Sequence, residues 1–204
     1  MDNDWYLRIN AFARATPWLH GLGSAFALWG GLVILVLLLI VGWLWGRRQS
    51  DAPARVAVAL LTGIASVFVL ILNQNLISPG IAKVRPCRAL ANVEVLLPCT
   101  HDFSMPSDHS IIAGAFVAGL WILNRKFGII AAVLAVLLAF ARVYSGVHYP
   151  SDTLVGLFLG VVIGIAIVLV FRRPTSNFTR WLTATSFGVL VRPNPTSTSE
   201  STHH

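Results

Sequence analysis

The sequence predicts an all-α, polytopic integral membrane protein, a bundle of about five transmembrane helices preceded by an N-terminal interfacial helix. Three observations predict it. Mean hydropathy is +0.74 and only 11% of residues are charged, where soluble domains carry about 25%. Five apolar runs, at 22–45, 56–77, 108–124, 127–144 and 152–171, approach the roughly 20 residues that cross a hydrocarbon core, the third and fourth being short. Nine of the fifteen cations sit between runs or after the last one: Arg47, Arg48, Arg55, Arg125, Lys126, Arg172, Arg173, Arg180 and Arg192. That is loop placement under the positive-inside rule, so the net charge of +7 argues for no nucleic-acid partner.

The elements follow in order. Trp5, Tyr6, Leu7, Ile9, Phe12 and Trp18 punctuate a polar stretch with a helical period, so 3–16 is expected as an amphipathic helix lying at the interface, with Pro17 at or after its end. Asp2, Asp4, Arg8 and Arg14 leave no apolar core for a cleavable signal peptide. The runs must be helical, because in lipid every backbone polar group needs an internal partner. In the fifth, Gly156, Gly160 and Gly164 repeat every four residues, giving a small-residue face that admits a close neighbour. Packing within the chain is the favoured use of that face, and a homodimer contact is the other. The mixed stretch 175–191 has the composition for a second surface helix, and Asn194–His204, rich in Ser, Thr and Pro, is expected to be disordered. The chain therefore divides into an interfacial segment (1–20), a transmembrane domain (21–173) and a cytoplasmic, partly disordered tail (174–204).

Five crossings place loops 46–55 and 125–126 on the side of the C-terminus, and loop 78–107 with turn 145–151 on the other. With the Arg-rich side cytoplasmic, the second pair faces out. Those outward segments hold the polar residues that matter. Arg85, Ser107, His109, Arg142, His148 and Asp152 all fall near one membrane face, and titratable groups at membrane depth mark function by default. Guanidinium forks match phosphate oxygens. Ser107, at a helix N-cap, aims the amides of Asp108 and His109 at the same oxygens. His148 suits a nucleophile on phosphorus, with Asp152 four residues on to hold its other ring nitrogen. His109 suits the acid that protonates the leaving oxygen and then activates water. The chemistry this set fits best is phosphate-ester cleavage through a histidine.

Arg85-Pro86, Pro106-Ser107-Asp108-His109 and Arg142-x5-His148-x3-Asp152 resemble, in order and spacing, the three signature blocks of the type 2 phosphatidic acid phosphatases. The resemblance covers roughly 20–172 in helix pattern. It implies a metal-independent lipid phosphatase with no cofactor, nucleophile His148, orienter Asp152 and general acid His109, with Arg85, Ser107 and Arg142 on the phosphate. Asp108 in place of a common glycine, with Leu7-x-Ile9-Asn10-x-x-Ala13, is similar to bacterial undecaprenyl-diphosphate phosphatases of the bacitracin-resistance type. One position departs. Seven residues before Arg85, where the family often has lysine, stands Ser78. Lys83 or Arg88 is available to supply that cation, and Lys83 joins Asp108 among the expected phosphate ligands.

Other polar residues have blander readings. Asn73-Gln74-Asn75 either lines the site or sits at the headgroups. Cys87 and Cys99, both in the outward loop, are a candidate disulfide if that side is oxidising. His101 and Asp102 are read as solvated loop residues rather than metal ligands. The expected activity is hydrolysis of an undecaprenyl or decaprenyl diphosphate to its monophosphate at the outer face of a bacterial-type plasma membrane. A phosphatidic acid or phosphatidylglycerophosphate phosphatase is the alternative. A non-catalytic phospholipid-binding or transport protein is the rival from another class, disfavoured because a binder needs arginines but no nucleophile.

Overall fold

The computed structural model describes residues 1–192, and every regular element among them is helical. Helix α1 (Asp2–Ala15) buries Tyr6, Asn10 and Ala13 and exposes Trp5, Leu7 and Phe12, as an interfacial helix does. It is followed by α2 (Pro17–Gly46), α3 (Ala52–Leu72), a short α4 (Pro86–Ala89), α5 (Asp108–Leu123), α6 (Arg125–Tyr144) and α7 (Pro150–Leu182). Four stretches, Pro17–Gly46, Ala52–Ala89, Arg125–Tyr144 and Pro150–Leu182, are long and apolar enough to cross a membrane. Helix α5 is shorter at 16 residues, which at 1.5 Å per residue reaches about 24 Å. The bundle is a membrane protein, and its many exposed Leu, Ile, Val and Phe side chains form its lipid-facing surface.

Helix α5 lies at the centre, packed against α3, α6 and α7. The main core joins Leu35, Leu61, Phe116, Leu120, Leu138 and Val168 from five helices. The glycine stripe faces α5 of the same chain. A Cβ at Gly156 would lie 2.9 Å from the Ser107 carbonyl oxygen, and one at Gly164 would lie 3.0 Å from the Ala118 Cβ. The stripe is thus intramolecular packing, and no second copy is needed to explain it.

Helix α7 continues through Pro174 to Leu182, past the expected boundary at 173. The separate surface helix expected over 175–191 is instead the end of α7 plus a short 3-10 turn, Ser186–Leu190. Thr179 supplies a reason: its hydroxyl donates to the Pro53 carbonyl at 2.7 Å, tying the end of α7 to the start of α3. The tail Asn194–His204 lies outside the described residues.

Two helices carry π-helical turns, Phe26–Gly30 within α2 and Asn73–Ile77 after α3, the second continued by Ser78–Ile81. A π-turn widens the helix and redirects side chains and carbonyls, and such turns concentrate at functional sites. Both flank the polar cluster described next.

Candidate active site

The turn between α6 and α7 carries His148. Gly146 has φ +81°, a left-handed conformation that favours glycine, and Tyr6 of α1 donates to its carbonyl at 3.2 Å. Pro150 opens α7, where a missing N–H costs nothing. Asp152 caps that helix by accepting from the Tyr149 amide at 2.8 Å. The result is a rigid turn that buries the imidazole to 1% exposure.

The His148 ring is oriented at both nitrogens. Nδ1 lies 2.9 Å from the Ser104 carbonyl, an acceptor that requires the proton to be on Nδ1. Nε2 is therefore the lone-pair nitrogen. It accepts from Arg85 Nη1 at 3.1 Å and from Arg142 Nη2 at 3.3 Å. Burial, reinforced by the two guanidinium charges, pulls the His148 pKa from 6.5 to about 4, so the ring stays neutral near pH 7. A neutral imidazole with its lone pair aimed between two guanidinium cations is the ground state a nucleophile on phosphorus would require.

The arginines are themselves fixed. Arg85 makes a two-pronged contact with Asp102, Nε to Oδ1 at 3.1 Å and Nη2 to Oδ2 at 2.8 Å, and Nη1 also donates to the Val147 carbonyl at 3.1 Å. Burial raises the Asp102 pKa, but hydrogen bonds from Arg85 and Thr100 outweigh it and leave the carboxyl more acidic than usual. Arg142 donates from Nη1 to the Ala27 carbonyl in the α2 π-turn at 3.2 Å. The next residue of that turn, Leu28, offers its carbonyl to His109 Nε2 at 2.9 Å. Ser107 is fully buried, and neither its hydroxyl nor Arg142 Nε has a partner among the described residues. A buried polar group without a partner costs roughly 1–3 kcal/mol. Phosphate oxygens would satisfy both.

Asp152, Lys83 and Asp108 are each held by neighbours of their own. Asp152 Oδ2 is 3.7 Å from His148 Nδ1, beyond hydrogen-bond reach. It accepts instead from the Ser104 hydroxyl, so it steadies the residue whose carbonyl holds the ring. Lys83 donates to Asp2 (2.9 Å), Ser151 (2.8 Å) and Asp152 (2.7 Å), which uses all three ammonium protons. The Asp108 side chain accepts from Asn73 at 2.7 Å and Gln74 at 3.0 Å, and its backbone amide remains the group expected to meet an anion. The second π-turn thus serves the site through Asp108. Arg88 donates to the His101 carbonyl at 3.1 Å and so braces the same loop.

Ser78 lines a cavity of about 190 Å³ beside Arg85, with Gln74, Asp102, Phe103 and Asp108 also on its wall. Cys87 and Cys99 are disulfide-bonded, with Cα atoms 6.2 Å apart, within the range such a bond requires. The bridge closes the loop that delivers Asp102 and Ser104. Sequence reasoning missed the roles of Asp102, Ser104 and the carbonyls of Ala27 and Leu28. The acidic residue 17 positions after Arg85 was the one visible signal. Among the described residues no group of three His, Cys, Asp or Glu side chains is arranged to hold a metal ion.

The chain is similar to several known proteins. A profile of the PAP2 superfamily matches residues 55–176. The undecaprenyl-diphosphatase BcrC of Bacillus subtilis is 36% identical over 133 residues, 65% of this chain and 65% of the relative, so the match spans just under two thirds of that protein. Phosphatidylglycerophosphatase B of the same organism is 29% identical over 72% of each chain. The crystal structure of Aquifex aeolicus LpxE superposes with a TM-score of 0.59 at 26% identity, covering 81% of this chain and 93% of that one.

Proposed function

The chain belongs to the PAP2 superfamily, and on that premise we propose that it is a membrane lipid phosphatase hydrolysing an isoprenoid diphosphate, of the undecaprenyl or decaprenyl kind, to the monophosphate. The observation that carries the reading is the lone pair of His148 Nε2, held between Arg85 and Arg142 by the Ser104 carbonyl behind it. The terminal phosphoryl group enters between the guanidiniums, which exchange their bonds to Nε2 for bonds to its oxygens. Nε2 attacks phosphorus as the bridging P–O bond breaks, and His109 protonates the departing lipid monophosphate. His109 then takes a proton from water, whose oxygen attacks the phosphohistidine and releases orthophosphate. Arg85, Arg142, Ser107 and the amides at the start of α5 stabilise the charge of the transferring group.

The diphosphate preference rests on the undecaprenyl-diphosphatase relative, at 36% identity. The phosphatidylglycerophosphatase relative, at 29%, supports the second reading, a glycerophospholipid monoester as substrate. The loop 78–107 and the His148 turn are assigned to the extracytoplasmic face because Arg47, Arg48, Arg55, Arg125 and Lys126 lie at the other end. Phosphate release by purified protein across a panel of isoprenoid diphosphates, phosphatidic acid and phosphatidylglycerophosphate tests the proposal. Turnover is expected with the diphosphates first. No release from any of them would leave a lipid-binding protein rather than an enzyme.

A further inference from the structure

A second cationic cavity lies at the other end of the bundle. Helix α5 stops at Leu123, while its neighbours α3 and α7 are 21 and 33 residues long. A hollow of about 610 Å³ opens below that end, walled by Asp51, Ala54, Arg55 and Val58 on one side and Ile122 and Leu123 above. The remaining wall is a single face of α7: Arg172, Arg173, Ser176, Asn177 and Arg180. At 100° per residue these five positions fall within an arc of about 140°. From Asp152 to Ser176 the α7 axis rises about 36 Å, so this cavity is remote from His148.

Its charge is unbalanced. Four arginines face one acid, Asp51, among the described lining residues. Asp51 is already paired with Arg55 at 2.6 Å. Arg55 is further committed to the Leu123 carbonyl at 3.0 Å and to the Trp45 ring at 4.7 Å. Arg172, Arg173 and Arg180 have no ion-pair partner among the described residues. Ser176, 6% exposed, holds a buried hydroxyl with no hydrogen-bond partner there. A buried hydroxyl without a partner is unfavourable in the protein alone, and the arginines Arg172, Arg173 and Arg180 on the same wall are solvent-exposed. One tetrahedral oxyanion would accept from the hydroxyl and from two or more arginine forks.

We propose that this cavity binds the phosphate of an anionic glycerophospholipid, as a site separate from the His148 centre. The shared chemistry is a phosphate oxyanion. Two features favour a lipid over a free ion. The volume matches a whole small-molecule ligand of about 300–1,000 Å³ rather than one ion, and Ala54, Val58, Ile122 and Leu123 give it an apolar side for the glycerol and chain ends.

The test is native mass spectrometry of the full chain in neutral detergent, titrated with phosphatidylglycerol or phosphatidylcholine. One phosphatidylglycerol is expected to be retained at ratios where phosphatidylcholine is not. The Arg172→Gln/Arg173→Gln/Arg180→Gln variant should need at least tenfold more lipid while keeping wild-type lipid phosphatase activity. Should that variant fail to fold, Ser176→Leu, which fills the cavity and leaves every charge, is expected to give the same loss. Inorganic phosphate separates the sources: displacement of the lipid at millimolar phosphate marks a general phosphate site, and its failure marks a site for the whole headgroup. Equal retention of the two lipids by wild type, or undiminished retention by both variants, would overturn the proposal.

Discussion

Lys83 Nζ sits 2.7 Å from Asp152 Oδ1, and Asp2 closes the far side of the same ammonium at 2.9 Å. Asp2 also accepts from the Ser151 amide at 3.1 Å and the Ser151 hydroxyl at 2.6 Å. The first turn of the interfacial helix is therefore bonded to the first turn of α7, one residue from the His148 turn. Tyr6 and Asn10 extend the attachment, the latter through reciprocal bonds of 2.7 and 2.9 Å with the Glu94 backbone.

Lys83→Ala should accordingly lower kcat about tenfold, ~1.4 kcal/mol of barrier, and leave KM nearly unchanged, because it removes a brace and no phosphate contact. Arg85→Ala should cost more and raise KM as well. Steady-state kinetics on a lipid diphosphate distinguishes them. An equal rise in KM for Lys83→Ala would mean that its ammonium reaches the phosphate during turnover.

His148→Ala should abolish turnover, and Asp152→Asn should reduce it about a hundredfold, ~2.7 kcal/mol. The amide can still accept from Tyr149 N, but it loses the charge that anchors Lys83 and the Ser104 hydroxyl. Single-turnover phosphate release checks both. Wild-type kcat in His148→Ala would refute the nucleophile.

Burial and the two arginine charges hold His148 near pKa 4 against 6.5 when unfolded. The unfolded chain binds the extra proton first, so stability is complete above pH 6.5 and falls as pH drops toward 4. That difference is worth about 3 kcal/mol at full extent. Thermal melts in detergent should fall across this window, and His148→Gln should flatten the fall. Because His148 stays unprotonated, activity should show no acid limb from this group near pH 6.5.

Hydrolysis should persist in excess EDTA, since Arg85 and Arg142 supply the charge that a metal would otherwise provide. Orthovanadate should inhibit, with its vanadium against His148 Nε2. Loss of activity in EDTA that Mg²⁺ restores would overturn the histidine mechanism.

Reduction of the Cys87–Cys99 bond, which spans 12 positions, should lower stability by about 3 kcal/mol on chain-entropy grounds. It should also weaken phosphate binding, because Asp102 and Ser104 follow closely in the same loop. Differential scanning measurements with and without reductant decide it. An unchanged melting temperature would show that α4 and the loop hold themselves.

Legibility from sequence followed the type of interaction. Apolar runs announced the helices, and Arg85, His109, Arg142 and His148 stood out because charged and titratable groups are rare in such a chain. Their supports did not stand out. The Ser104, Ala27 and Leu28 carbonyls belong to the backbone and leave no residue signature. The π-turns that present two of them depend on packing rather than on a recognisable residue. The contacts of Lys83 were not legible because its partners Asp2 and Ser151 are 81 and 68 positions away. The continuation of α7 was not legible because the apolar run ends at Phe171, whereas the Thr179 anchor to Pro53 is a tertiary contact.

The glycine stripe of α7 also constrains how a lipid arrives. A Cβ on Gly114 would lie 2.9 Å from the Val161 amide and 3.0 Å from the Gly160 Cα, so the α5 and α7 backbones touch along this seam. A lipid tail has no doorway there. A bulky residue at Gly160 would press on the Ile111 backbone and pry the two helices apart rather than widen an entrance.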